Sequence, residues 1–324
     1  MLTTLINPPG IEDDYLRCLN TCFPGWGDRR TFDWYFKRTS PADLIIFQKN
    51  VRMASGSALT YRRLMLPNGK FVKAAIMTGS WTLPDFRRQG LFSMTIDESL
   101  KLAAKRGAAL LLAFVTEDNA SFRRLASAGA GLLRTWYLFS TKDTPQVETT
   151  KRFHHVNKGE RVVQSMWDLF EHNNQSFCRF GYADAAEFEA QFLCRPFGTT
   201  EILRNDDGWF GIREIKETVE QLQLLLASGA VGSLRAQLGW FLNHALRNRR
   251  QLFMFSSNER VAKAAAEIGL KNKAGYLTVL IADSVQLGDA IGVFGDTPLS
   301  PRALTQPETP WFLGRLSMAG GDRA

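Results

Sequence analysis

The sequence predicts an α/β protein in which a mixed β-sheet flanked by helices occurs twice in tandem. Three observations predict it. The chain has 324 residues, more than one ordinary hydrophobic core accommodates. Its apolar residues switch repeatedly between strand and helix periods. The second half also echoes the first at a constant spacing, as a duplicated unit does.

Taken in order, Leu44–Phe47 and Ala54–Tyr61 read as strands, and Pro67-Asn68-Gly69 is a turn between Tyr61–Leu66 and Lys70–Leu83. Val72–Leu83 forms one long strand that stops at Pro84, because proline cannot donate to a ladder. Leu91–Arg106 has a helical period, with Met94, Ile96, Leu100, Leu102 and Ala103 apolar, and Gly107 terminates it. Ala108–Val115 is a buried strand, Ser121–Ala128 a short helix and Leu132–Phe139 another strand. A strand–helix–strand passage of this kind joins the central strands of a mixed sheet through a helix.

Ser140–Arg161 is polar and charged and reads as a linker. Arg204–Gly208 is a hairpin turn between Glu201–Leu203 and Trp209–Ile215. Beyond Asp283 the chain is rich in Gly and Pro, and little regular structure is expected there besides an apolar anchor at Trp311–Leu313. The expected division is a first domain over 1–145, a linker over 146–162, a second domain over 163–283 and an irregular tail over 284–324.

Composition narrows the function classes. Hydrophobic residues make up 45% and charged residues 22%, as in globular proteins. The longest apolar stretch, around Ala108–Val115, is too short to cross a bilayer, so no membrane association is expected. No basic start or apolar run precedes Pro8-Pro9-Gly10, which makes the cytoplasm the expected location. Cys18, Cys22, Cys178 and Cys194 have no metal-ligand spacing, and the four histidines form no zinc pattern; no metal is expected. The net charge of +8 comes as scattered basic pairs and suits an anionic partner without selecting one.

The informative segment is TLPDFRRQGLF, Thr82–Phe92, where a strand hands over to a helix. Gly90 lets backbone approach a ligand with no Cβ in the way. The helix that begins at Leu91 turns unpaired N–H groups and its positive dipole end into the turn. Such a turn holds a pyrophosphate, and Arg87, Arg88 and Gln89 add charge and side-chain donors.

This segment resembles the acyl-CoA-binding motif of the GCN5-related N-acetyltransferase (GNAT) superfamily, R/Q-x-x-G-x-G/A, with Arg87 first and Gly90 central. Phe92 stands where the family usually has Gly or Ala. Downstream, Asn119 and Ala120–Gly129 resemble the family's second motif, in which an asparagine follows the next strand and a helix packs beside the cofactor arm. The resemblance covers roughly residues 40 to 140. It implies acetyl-CoA or another acyl-CoA as co-substrate, held by Trp81, Thr82, Leu83, Arg87, Arg88, Gln89, Gly90, Leu91, Phe92, Asn119 and Phe122. The tyrosine that many members place in the second-motif helix, as acid to the leaving thiolate, is missing; that helix offers Phe122, Leu125 and Ala126.

The second half repeats this plan. FVTEDN (Phe114–Asn119) matches FMFSSN (Phe253–Asn258), with 258 − 119 = 139, and the same offset carries Gly90 to Gly229 and Tyr137 to Tyr276. Leu91–Arg106 then corresponds to Ala230–Ala245. Leu226 takes the place of Arg87, and Leu225–Ser233 has no basic residue, so this half is expected to be a degenerate GNAT-like copy.

The resemblance implies direct attack of an amine on the thioester. Main-chain N–H groups of Trp81–Leu83 would stabilise the oxyanion, Glu117 or Asp118 would act as base, and the acid step would use Tyr137, water or no group at all. Glu117, Asp118 and Asn119 also suit a plain helix cap with first-turn charge. The aromatic segment Cys22–Phe36 suits either an acceptor-facing cover or a helix with Phe32 and Phe36 in the core. The expected partner is a small-molecule amine, such as a nucleotide-linked amino sugar; nucleic acid is not expected. Two other functions stay open: an aminoacyl-tRNA-dependent transferase of the peptidoglycan-bridge type, and a non-catalytic binding module with this fold.

Overall fold

The computed structural model describes residues 1–38, 41–175, 178–228, 234–291 and 300–305, except the side chains of 217 and 303. The chain divides into two compact units, and the division does not follow the expected domain boundaries. One unit is Met1–Leu133 with the described residues from Tyr276 onward; the other is Arg134–Gly275.

In chain order the first unit holds β1 (Leu2–Ile6), α1 (Glu12–Cys22), α2 (Arg29–Lys37), β2 (Asp43–Lys49), β3 (Arg52–Met65), β4 (Phe71–Thr82), α3 (Leu91–Lys105), β5 (Leu110–Val115) and α4 (Ala120–Ser127). From β1 to β4 each strand pairs antiparallel with the next, and β4 pairs parallel with β5 across α3. Period-two alternation splits the sheet between two cores. Ile46, Ala58 and Trp81 meet Tyr15, Leu19, Phe32 and Phe36 of α1 and α2. On the opposite face Ile45, Phe47, Leu59 and Leu111 meet Ile96 and Ala103 of α3. Of the two readings of Cys22–Phe36, the core reading describes Phe32 and Phe36, which are almost completely buried.

Asp43 ties α3 to the sheet. Both its oxygens accept from the Arg106 guanidinium at 2.8 Å, and it also accepts from the Tyr61 hydroxyl and the Asn7 amide. Burial raises the Asp43 pKa, but these donors outweigh it and hold the carboxyl below the usual carboxylate range.

The second unit holds β6 (Gly131–Phe139, from Arg134), β7 (His154–Val156), α5 (Glu160–Asn173), β8 (Arg179–Gly181), α6 (Ala185–Phe192), β9 (Thr199–Arg204), β10 (Phe210–Lys216), β11 (Gln221–Ser228), α7 (Leu234–Arg247), β12 (Gln251–Ser256), α8 (Glu259–Glu267) and the first residues of β13 (Lys271–Ile281). Its sheet repeats the first: β7, β9, β10 and β11 pair antiparallel in that order, and β11 pairs parallel with β12 across α7. Of the matching segment Leu225–Ser233, Leu225–Ser228 end β11 and residues 229–233 lie outside the described residues.

Each unit is completed by a strand from the other half of the sequence. In the first, Tyr276–Ile281 of β13 runs antiparallel to β5, from Tyr276 opposite Val115 to Ile281 opposite Leu110. In the second, Trp136–Phe139 of β6 runs antiparallel to β12. The two strands are the duplicated pair, since 276 − 137 = 139 relates their tyrosines.

Two further expectations change. The segment 146–162 is not a free spacer: Val147 exchanges hydrogen bonds with the Asn243 amide, Thr149 donates to the Ala236 carbonyl, and Phe153 packs on Trp240 and Phe241. The segment after Asp283 contains α9 (Ser284–Ile291) and α10 (Pro301–Leu304), capped and anchored where composition alone suggested irregular chain. The Asp283 carboxylate accepts the N–H groups of Val285 and Gln286, and the carbonyls of Asp289 and Ala290 accept from Lys70 and Asn68. The expected anchor Trp311–Leu313 lies outside the described residues.

Candidate active site

The parallel pairing of β4 with β5 spans Ala74–Ile76 against Leu110–Leu112. Beyond it β4 runs on to Thr82 and β5 to Val115, so the two strand ends part. A bulge in β4 starts the divergence. Between Gly56↔Trp81 and Ala58↔Thr78 the ladder shifts register, and Gly79 sits in the left-handed region at φ +58°. Helix α1 holds this bulge, with the Tyr15 hydroxyl donating to the Gly79 carbonyl at 3.2 Å.

The three residues expected to present N–H groups at the strand end differ in availability. The Leu83 N–H donates to the Ala54 carbonyl and is already used by β3. Alternation along an antiparallel strand turns the Thr82 N–H and C=O the other way. Accordingly, the Thr82 carbonyl accepts from the Arg87 Nε at 3.2 Å and the Cys22 thiol at 3.4 Å. Trp81 is buried in the core on α1, and Gly56 leaves it room: a Cβ there would lie 2.7 Å from the indole.

After Pro84–Phe86, a single 3₁₀ turn, Arg88 and Gly90 adopt left-handed backbone (φ +63° and +77°), and α3 starts with Gly90 as N-cap. Gly90 supplies no capping side chain, and the first turn of α3 carries no acidic residue. The helix start therefore keeps its positive end and its donors available. A Cβ built on Gly90 meets nothing within 4 Å, so the space over the helix start is open. Leu91 is buried and Phe92 packs on the α3 core. Both can serve a ligand through their main chain.

The basic side chains are arranged individually. Arg87 is oriented by the Thr82 carbonyl and lies beside Cys22; burial raises that thiol's pKa, opposed by Arg87. Gln89 donates to the Asp85 carbonyl and accepts from Lys49 at 2.8 Å. Arg52 reaches Asp85 at 3.4 Å. Lys49 and Arg52 thus reach the turn that carries Arg87 and Arg88; sequence reasoning missed them because they come from another hairpin.

Beyond β5, the Asn119 side chain caps α4 by accepting the Ser121 N–H at 3.2 Å, the plainer of its two expected roles. Asp118 is exposed. Glu117 has a specific partner: its Oε1 accepts the Tyr276 hydroxyl at 2.5 Å, and the Tyr276 ring lies 5.0 Å from that of Phe122. The expected acid Tyr137 belongs to the second unit, where it packs on Phe253 and Phe255. Tyr276, 139 residues beyond Tyr137, is thus the tyrosine that stands beside Glu117. Among the described residues no group of His, Cys, Asp or Glu could hold a metal ion, and no helix is long and apolar enough to cross a membrane.

Parted parallel strands and an uncapped, glycine-led helix with basic residues in the preceding turn form a site suited to an anionic group such as a pyrophosphate. Residues 10–123 match the family model described as "Acetyltransferase (GNAT) domain". The match places a GNAT acetyltransferase domain in the first unit, over about a third of the chain. Its fold is similar to that of a probable N-acyltransferase from Enterococcus faecalis V583: TM-score 0.66, 13% identity, covering 90% of this chain and 75% of that one. A GCN5-related N-acetyltransferase from Anabaena variabilis ATCC 29413 gives the same four values. A tandem GNAT protein from the clavulanic acid biosynthesis pathway matches at TM-score 0.58 and 12% identity, covering 87% of this chain and 99% of that one. No curated protein matches this chain.

Proposed function

We propose that the protein is an acyl-CoA-dependent N-acyltransferase acting on a small-molecule amine, working in the cytoplasm, with its donor site in the first unit. The observation that carries this reading is the Gly90 turn: left-handed, open above, leading into an uncapped helix, carrying Arg87 and Arg88 in its own sequence and met at Gln89 by Lys49. A pyrophosphate accepts hydrogen bonds from such a turn and is neutralised by its cations. The positive charge around it also favours an anionic acceptor, such as a nucleotide-linked amino sugar.

Acyl-CoA supplies a thioester already activated toward amines. The Thr82 N–H faces away from β3, where charge on the thioester oxygen would need a donor. As the amine's C–N bond forms and the C–S bond breaks, Glu117 takes the ammonium proton. Tyr276 gives its hydroxyl proton to the departing sulfur, and the Glu117–Tyr276 hydrogen bond returns a proton to the tyrosine. Atoms and charge balance without a metal.

The test is calorimetric titration with acetyl-CoA and free CoA, for the wild type and Gly90→Val. A β-branched side chain at φ +77° is strained and fills the space above the helix. Saturable binding weakened at least tenfold or so in the variant, with unchanged circular dichroism, is expected. Equal affinity in both proteins would remove the donor-site assignment.

A further inference from the structure

The second unit contains a cavity of about 700 Å³ between the C-terminal part of α7 and the chain from Gln146 to His155. We propose that it binds a small phosphate monoester carrying an aromatic ring, of the nucleoside monophosphate class. This site is separate from the donor turn and does not depend on the acyl-transfer reading.

Charge is the first argument. Lys151, Arg152 and Arg247 line the cavity. Lys151 is matched by Asp207 at 2.7 Å, but among the described residues no carboxylate lies within ion-pair distance of Arg152 or Arg247. Two exposed guanidiniums without anions at one opening suit a phosphate, which takes paired N–H donors.

The second argument is a buried cation behind the wall. Arg213 is 2% exposed. Its Nε donates to Glu201 at 2.6 Å, its Nη2 lies 3.4 Å from His155, a cavity residue, and its Nη1 is buried without a partner. A buried guanidinium with an unused donor is costly unless something accepts from it.

The third is the apolar wall. Trp240 and His244 stack at 5.0 Å with 22° between their planes, and Phe153 lies 4.9 Å from Trp240. Burial first, then Arg213 and Arg247, lower the His244 pKa to about 4. Near neutral pH the imidazole is therefore an uncharged plane on which a flat ring can stack. The volume lies in the range of small-ligand sites.

The experiment titrates the full chain calorimetrically with AMP, adenosine and inorganic phosphate. AMP is expected to bind at least about tenfold tighter than either fragment, because it alone engages both cations and ring wall. The doubly substituted Arg152→Glu/Arg247→Glu protein should lose about tenfold or more of that affinity, since both positions are exposed and the fold is spared. Gly90→Val should bind AMP normally. Absence of AMP binding, equal affinity for phosphate alone, or loss in Gly90→Val but not in the double variant would each overturn the proposal.

Discussion

The two units share a plan and differ at the positions that chemistry would use. Both pass from an antiparallel hairpin through a helix to a parallel strand and then to a short helix capped by asparagine. Asn119 accepts the Ser121 N–H, and Asn258, 139 residues on, accepts the Arg260 N–H at 2.9 Å. What folds the unit has been kept in both copies. Where the first has Arg87 the second has buried Leu226. Where the first has Glu117 and Asp118, the second has Ser256 and Ser257 (256 − 117 = 139), and the Ser256 hydroxyl accepts the Asn258 N–H. A duplicated scaffold can thus keep its caps and ladders while the two copies differ in the charged side chains at matching positions. In this chain the second copy is basic elsewhere, around its own cavity.

The largest effect should come from breaking the strand exchange. Ending the chain after Gly275 removes Tyr276–Ile281 from beside β5. Leu277 and Val279 are completely buried there and Leu280 nearly so. At roughly 1.5–3 kcal/mol per buried side chain, the loss approaches the whole stability of an ordinary domain. Limited proteolysis should then degrade residues 1–133 while leaving a resistant fragment from 134–275. A resistant 1–133 that still binds acetyl-CoA would show that the first unit does not need the exchanged strand.

A smaller effect separates the duplicated tyrosines. Once a screen has returned an amine acceptor, Tyr276→Phe should lower kcat about 100-fold while leaving the acetyl-CoA KM nearly unchanged, the pattern of a lost acid. Tyr137→Phe should leave kcat within about twofold of the wild type. If instead Tyr137→Phe carried the kinetic loss, the acid assignment would pass to the second copy's tyrosine.

Much of this was legible in the sequence. The β4–turn–α3–β5 passage follows from Val72–Leu83, Pro84, Gly90 and the period of Leu91–Arg106, which are local signals. The duplication was legible because the Asn caps and tyrosines keep one offset. The exchange was not: Leu132–Phe139 and Lys271–Ile281 alternate equally well, so either could complete either sheet by period alone. Which partner each finds is decided by contacts such as Thr278 Oγ1 to the Ala113 carbonyl, 165 residues apart. For the same reason Glu117 could not be matched to its partner, and Lys49 and Arg52 could not be placed beside Gln89 and Asp85. Gly and Pro after Asp283 concealed α9, whose cap is the Asp283 carboxylate.

The finest distinction between the units is their order of acid sensitivity. His244 in the second unit has a pKa lowered from 6.5 to about 4 in the folded protein. As pH falls through 6.5 the unfolded chain takes up this proton and the folded chain does not, so stability is lost from there down to about 4. Asp43 in the first unit behaves as a depressed carboxylate: its contribution persists above the ordinary value of 3.8 and is lost only as pH falls further, through the folded pKa. Urea unfolding at about pH 7, 5 and 3 should therefore separate them. His244→Gln should reduce the fall in stability between about pH 7 and 5, and Asp43→Asn should change only the fall below about pH 4. A His244→Gln protein that lost as much stability between about pH 7 and 5 as the wild type would mean that the buried imidazole is not the group responsible.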